Sequence, residues 1–277
     1  MADTPPLPTP AVVLASGELP HADLRISPVA PLLDAPRVRC DTCQDRVRYY
    51  CARCLVPRGG VAPPVMPVLP FVFDVFKHKH ELNGKSTALH AKVLCPEDVR
   101  VWEYPNQVNA YSNRPDRTLV LYPSENATPI SEIDPTSFSH VIVIDGTWYQ
   151  AHQMVRDAPF LKDPAVRHVT FASPPKTKFW RFQQKSEHHL ATIEAMWWLV
   201  REYMAAHRPN DDQHTFDDLL WYYTFQYQRI LGTYNSTPDL VLNGRLQGDF
   251  RTDLERVRSD ATGAAADTAA AADEDTA

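Results

Sequence analysis

No stretch of this 277-residue chain comes near the roughly 18–20 consecutive apolar residues that cross a bilayer. Its first residues also lack the basic, apolar and small-residue order of a secretory signal. The expectation is therefore an intracellular, soluble protein of the nucleus or cytoplasm, with no membrane partner. No repeat of 20–50 residues is visible, which argues against a solenoid. Gly84-Lys85-Ser86 looks like the end of a phosphate-binding loop, but position 79 is Lys where G-x4-G-K-[ST] needs its first glycine. An excess of positive charge is missing too: 28 Lys and Arg stand against 34 Asp and Glu, a formal charge of −6. That deficit sits at the ends. Over 37–259 there are 27 basic and 25 acidic residues, so the part expected to fold is mildly basic and compatible with nucleic acid.

With 44% apolar and 10% aromatic residues the chain can bury one sizeable core, or a main domain with a small appendage. Residues 1–36 carry repeated Pro without a period of 2 or 3.6 and are read as a flexible or extended leader. Residues 37–66 form a small cysteine-bearing ribbon and 67–250 a main domain. The acidic, Ala-rich residues 251–277 have no apolar face to dock and are read as a disordered tail.

There are few cysteines, five in all, and four of them fall within fifteen residues. Cys40, Cys43, Cys51 and Cys54 give C-x2-C-x7-C-x2-C, a spacing that suits two short knuckles around one tetrahedral ion, with zinc the natural occupant. Reduced, unpaired cysteines are the plainer reading. A thioredoxin-like redox role is poorer, because C-x-x-C near a βαβ unit is absent. An ion held by four protein thiolates has no open position, so its expected role is folding, with RNA docking through Arg46, Arg48, Arg53 and Arg58. Cys95 reads as an ordinary buried thiol.

Strands are expected at 68–76, 99–104, 117–122, 140–145 and 166–171. The unbroken VIVI of 141–144 marks a strand covered on both faces, hence a mostly parallel α/β core. Helical periodicity is clear at 187–205 and 216–231; Thr215 with Asp218 reads as a cap for the second, and Gly232 as its end. In VIVIDGTWYQAHQMV a buried strand meets a turn at Gly146 and a helix whose first turn holds Trp148. Asp145 thus stands at a strand's carboxyl end, where ligands bind in open α/β sheets. The plainer reading makes it a helix cap.

Asp145-Gly146-Thr147-Trp148 resembles the tetrad that names the DTW-domain family. The paired C-x-x-C, residues 78–105, LVLYPSENA (119–127), KFWRFQ (178–183) and ATIEAMWW (191–198) are similar to family blocks in family order, covering roughly 38–231. GKSTALHAK (84–92) is most similar to the eukaryotic branch acting on position 20 of tRNA. One departure is Ala191, where the family block reads Ser. The resemblance implies a SPOUT-like sheet flanked by helices, a fold that often carries a knotted cofactor loop. It also implies transfer of the 3-amino-3-carboxypropyl group of S-adenosylmethionine to N3 of a tRNA uridine, giving acp3U and methylthioadenosine. Methyl transfer on the same fold, or a zinc-ribbon RNA-binding protein without activity, are the alternatives.

In that chemistry Asp145 is the expected general base, its pKa raised by burial, with Thr147 orienting it by a hydrogen bond and Trp148 lying against adenine or the sulfonium. Tyr122, Pro123 and Ser124 at another strand end, with Thr192 and Glu194, are the expected donor contacts, helix capping and surface charge being the plainer reading of the last two. Lys178, Trp180, Arg181 and Lys185 mix cations with aromatics as single-stranded RNA requires, though a solvated loop fits the same letters. Lys77, His78, Lys79, His80, Lys85, His90 and Lys92 form a second basic stretch, of which Lys85, His90 and Lys92 are candidate RNA contacts, the histidines otherwise reading as satisfied polar groups. The expected ligands are S-adenosylmethionine as co-substrate and structural Zn2+, with tRNA as partner and no obligate protein partner evident.

Overall fold

Residues with unbroken apolar runs become the centre of the sheet. In the computed structural model, β5 (Val72–His78) and β9 (His140–Asp145) lie side by side, with β6 (Val99–Tyr104) beyond β5. On the other side of β9 come β7 (Thr118–Leu121), β10 (Arg167–Thr170) and, at the edge, the two-residue β8 (Thr128–Pro129). All six strands run parallel, in the order β6-β5-β9-β7-β10-β8. The strand expected at 68–76 begins later, at Val72, and continues to His78. β9 enters between β5 and β7, both earlier in the chain, so its carboxyl end is flanked on both sides. Ligands of open α/β sheets bind at the carboxyl ends of the strands.

The structure describes residues 19–21, 23–180, 189–235 and 255. Residues 1–18 and Ala22 of the expected leader, and the expected tail apart from Glu255, lie outside them. Two compact units are distinguished. The larger takes residues 23–177 and 188–223 and contains the whole sheet; the smaller takes 1–22, 178–187 and 224–277.

Side-chain alternation assigns the two sheet faces. Phe76, Val120 and Ile142 point into a core completed by Met154 and Ala158 around α3 (Trp148–Asp157), by Val108 of the short α2 (Asn106–Asn109), and by Tyr104, Tyr111, Phe160 and Leu161. On the opposite face Phe73, Val75, Leu119, Val141 and Val143 are buried. There α4 (Thr192–His207) packs on β9 and on α1 (Ala88–Leu94). The expected capped helix over 216–231 is instead a turn of 3-10 helix at Asp217–Leu220, followed by α5 (Trp221–Asn235), which runs through Gly232. Asp218 is not free to cap with Thr215, because its carboxylate accepts the Ser27 N–H at 2.7 Å and the Ser27 hydroxyl at 2.6 Å.

The same contact corrects the leader. Residues 23–36 are not loose: Leu32 is fully buried, Asp217 accepts the Arg25 N–H, and the Trp221 indole donates to the Pro28 carbonyl. Proline there fixes an extended path, including the 3-10 turn Ala30–Leu32, while backbone groups are satisfied by acidic side chains far along the sequence.

Asp74, fully buried on β5, accepts from the Trp102 indole (2.8 Å) and the Tyr111 hydroxyl (2.7 Å), and faces His140 Nδ1 at 2.7 Å. Removing the only acceptor of several buried donors leaves each of them desolvated and unpaired. Asp74→Ala is expected to lower stability by about 3–5 kcal/mol, read as a fall in the urea midpoint; a shift of a few tenths would show that these donors find other acceptors.

Candidate functional site

Asp145 ends β9 on the side of Val141 and Val143, which directs it toward α1 and α4. It is 3% exposed. Its Oδ2 accepts from the Ser86 hydroxyl and its Oδ1 from the Thr192 hydroxyl, both at 2.7 Å. Ser86 precedes α1, and Thr192 is the first residue of α4, so one carboxylate joins three elements far apart in sequence. Lys77, its neighbour across the β5–β9 ladder, is also buried, with its ammonium donating to the Glu81 carbonyl at 2.6 Å. Burial pushes the Asp145 carboxyl above the usual carboxylate range, against the two hydroxyls and the Lys77 charge, which pull it down.

The tetrad's other residues divide the work. A Cβ on Gly146 would sit 2.9 Å from Gln150 Oε1 and 3.3 Å from His78 Cβ, so the turn passes where a side chain would crowd. Thr147 does not orient Asp145. It is the N-cap of α3: its hydroxyl oxygen accepts the Gln150 N–H at 3.4 Å and its own N–H donates to Gln150 Oε1 at 2.8 Å. Because Thr147 fills the cap, Asp145 is left for the pocket and the helix-cap reading of Asp145 falls away. Trp148, half-buried, meets the His189 ring edge-on at 4.3 Å.

β7 ends beside β9, which brings Tyr122, Pro123 and Ser124 to the same sheet edge. The Tyr122 hydroxyl pairs with His152 Nδ1 at 3.1 Å and the Ser124 hydroxyl with His168 Nδ1 at 2.8 Å. Thr192 directs its hydroxyl at Asp145. Glu194 is fully buried and accepts the Ala191 N–H (2.8 Å) and the Thr177 hydroxyl (2.6 Å) through Oε2. It therefore closes the start of α4. With Ala at the N-cap only this half of a capping box is made, and Thr177 supplies a hydroxyl at the same carboxylate.

Of the expected RNA contacts, Lys85 is exposed beside Ser86, and Lys92 donates to the Pro96 carbonyl. His90 is not a surface residue. It is 2% exposed, packed between Tyr50 and Tyr222 at 5.6 and 5.7 Å, and burial drives its pKa down to about 3, so it is neutral. Lys178 and Trp180 belong to the smaller unit, where Trp180 packs on Phe179; Arg181 and Lys185 lie outside the described residues. The sequence reading gave Ser86, Lys77 and His78 no part in the site around Asp145. His78 lies at the end of β5, stacked on Tyr104, and its Nδ1 accepts the His80 N–H at 3.2 Å. A cue existed: the apolar β5 run stops abruptly at Lys77-His78.

The cysteine ribbon is built from two matching knuckles. β1 (Val38–Arg39) pairs with β2 (Arg46–Val47), and β3 (Tyr50–Cys51) with β4 (Val56–Pro57), all antiparallel. Gln44 and Leu55, each just after a C-x-x-C, adopt φ of +64° and +57° and donate to the carbonyls of Cys40 and Cys51. Left-handed backbone at non-glycine residues persists where surrounding structure dictates it. The four sulfurs lie within 4.8 Å of one another, close to the ~3.8 Å edges of a tetrahedron with ~2.3 Å metal–sulfur bonds. The Cys43 backbone N–H, aimed at Cys40, helps draw that thiol down to about 6. The donor set fits a thiophilic cation. Arg48, expected on RNA, instead donates to the carbonyls of Ala35 and Leu33, and a Cβ at Gly59, whose φ is +72°, would collide with the Arg48 carbonyl.

Residues 48–231 match the model of the DTW domain. The chain is 30% identical over 238 residues to tRNA-uridine aminocarboxypropyltransferase 1 of Xenopus laevis, covering 70% of this chain and 80% of that protein. The proteins of the same name from Mus musculus and Homo sapiens are each 27% identical, over 239 and 261 residues, covering 70% and 78% of this chain and 77% and 81% of theirs. No solved structure matches. No helix among the described residues is long and apolar enough to cross a membrane.

Because the folded-state pKa of Asp145 is raised, the group contributes most to stability below the unfolded value of ~3.9, and that contribution is lost as pH rises through the folded value. Asp145→Asn keeps the shape, accepts from one hydroxyl and donates to the other. Its thermal midpoint is expected to exceed the wild-type value at pH 7, with the gain shrinking toward pH 4. A midpoint below wild type at pH 7 would mean that the hydroxyls and Lys77 outweigh burial.

Proposed function

The chain belongs to the DTW-domain family, and from that premise we propose that it transfers the 3-amino-3-carboxypropyl group of S-adenosylmethionine to N3 of a uridine in tRNA, position 20 being the site favoured by residues 84–92. The names of its relatives support this reading. The observation that carries it is a buried carboxylate, gripped by two hydroxyls at a strand end, three residues before Trp148.

S-adenosylmethionine, when bound, supplies a carbon made electrophilic by its sulfonium. Trp148 and the residues at the β7 end, Tyr122, Pro123 and Ser124, would hold it, the indole offering a π face to the cation. Asp145 would take the imide proton as N3 bonds to that carbon and the carbon–sulfur bond breaks to release methylthioadenosine, a general-base effect worth on the order of 10²–10⁴ in rate. An ionised carboxylate has about four acceptor positions; the Ser86 and Thr192 hydroxyls leave room for an incoming N–H while fixing its direction. A raised pKa makes Asp145 a better base than an ordinary aspartate. Glu194 is better explained by its capping bonds than as a donor contact.

Purified protein incubated with unmodified tRNA and S-adenosylmethionine is expected to yield acp3U in nucleoside digests and methylthioadenosine in solution. S-adenosylhomocysteine would assign methyl transfer instead, and neither product would leave an RNA-binding protein without activity. Asp145→Asn is expected to abolish turnover while donor affinity stays within a few fold; near-normal turnover would remove the general base.

Cys40, Cys43, Cys51 and Cys54 are proposed to hold structural Zn2+, which would tie the ribbon to the sheet domain through Tyr50. Chelation is expected to release one zinc per chain and to lower the thermal midpoint. Protein that carries no zinc and tolerates Cys40→Ser in folding would overturn this assignment.

A further inference from the structure

α3 begins three residues after Asp145 and leads away from the carboxyl end of β9. At ~100° per residue, Ala151, Met154 and Ala158 share its inner side, and all are buried. Tyr149, His152 and Arg156 fall within roughly 60° of one another on the outer side, and all are exposed. Tyr149 is 83% exposed, with no ring or hydrogen-bond partner among the described residues. It follows Trp148 directly, so the outer face starts four residues after Asp145. His152 is fixed through its bond to Tyr122, which stands at the adjacent strand end. Arg156 lies within electrostatic reach of Tyr149 and Tyr104. Its bonds to Asp157, at 2.7 and 2.9 Å, form an exposed pair between sequence neighbours, the kind readily exchanged for another anion.

An exposed ring is ordinary alone. Here it sits between the strand end that carries Asp145 and a cation two helical turns along, about 10 Å farther. That order matches a single-stranded nucleic acid, in which a flat base alternates with a charged phosphate. A protein partner would call for a broad apolar surface, but both groups beside Tyr149 on this face are ionisable.

We propose that the outer face of α3 is an RNA platform, on which Tyr149 stacks an unpaired base next to the target uridine while Arg156, with His152, meets the backbone phosphates. This rests on the reading of tRNA as substrate. It adds which surface holds the loop and implies that the nucleotide beside the target is held by stacking, without regard to its identity.

The test measures equilibrium binding of an unmodified tRNA transcript to the full chain by fluorescence anisotropy at fixed salt, with no donor present, so it does not depend on turnover. Tyr149→Ala is expected to weaken binding about tenfold, as loss of one base–aromatic stack does, and Tyr149→Phe to stay within about twofold of wild type. Arg156→Gln is expected to reduce the salt dependence by about one phosphate contact. In turnover assays Tyr149→Ala should raise KM for tRNA and leave KM for the donor unchanged. The platform is overturned if the wild type binds no tRNA, if Tyr149→Ala binds within about twofold of it, or if Phe fails as badly as Ala. It is equally overturned if Tyr149→Ala keeps its RNA affinity and instead dissociates a dimer in light scattering, which would give this face to a second copy of the chain. Should the wild type form no acp3U while the Tyr149 variants still lose RNA as expected, the chemical reading fails and the platform stands.

Discussion

Two short hydrogen bonds to one buried carboxylate organise the site. Asp145 arrives on β9, Ser86 on the loop before α1 and Thr192 on the first turn of α4, and each hydroxyl meets a different carboxylate oxygen. Ionised carboxylates are costly to bury, and charge-assisted bonds offset part of that cost. The geometry of the pocket therefore depends on the charge that threatens the stability of the core. Hydroxyl donors suit this duty better than an arginine would: they pull the pKa down modestly and leave Asp145 basic.

The cysteine ribbon is joined to this arrangement by packing. Tyr50 precedes Cys51 and lies 5.6 Å from His90 and 5.0 Å from Tyr222. His90 belongs to α1, the helix that begins two residues after Ser86. Any shift of the knuckle against α1 is thus felt at the loop that presents Ser86 to Asp145. A neutral imidazole between two phenol rings is a tight aromatic contact, and its low pKa keeps it uncharged across the physiological range.

Much of this was legible in the letters. The VIVI run placed β9 at 140–145 because a strand covered on both faces cannot alternate, and β9 in turn placed Asp145 at a sheet edge. The double C-x-x-C identified the thiol cluster by spacing alone. What escaped was long-range. Ser86 meets Asp145 across 59 residues and Thr192 across 47, and no local period encodes either contact. His90 was misjudged for the same reason. In a basic stretch it looks solvated, yet α1 is buried nearly all round, with Ala88, Leu89, Ala91, Val93 and Leu94 buried beside it. Thr147 was assigned to the carboxylate when local capping chemistry had the stronger claim on it: Gln150, three residues on, completes a capping box visible in the sequence.

Among the described residues two aspartates are buried in one sheet, and their donors differ in kind. Asp74 and Asp145 stand on opposite faces, near opposite ends of adjacent strands. Asp74 is surrounded by an indole N–H, a phenol and an imidazole, large groups wedged in the core whose directions are set by packing. Asp145 is met by serine and threonine, whose hydroxyl hydrogens rotate. A proton arriving at Asp145 needs only a reorientation of those hydrogens. Burial raises the affinity of Asp145 for that proton, and its position at the carboxyl end of β9 puts it where a ligand can approach. Rigid donors thus make one carboxylate a fastening of the core, and mobile donors leave the other able to exchange a proton.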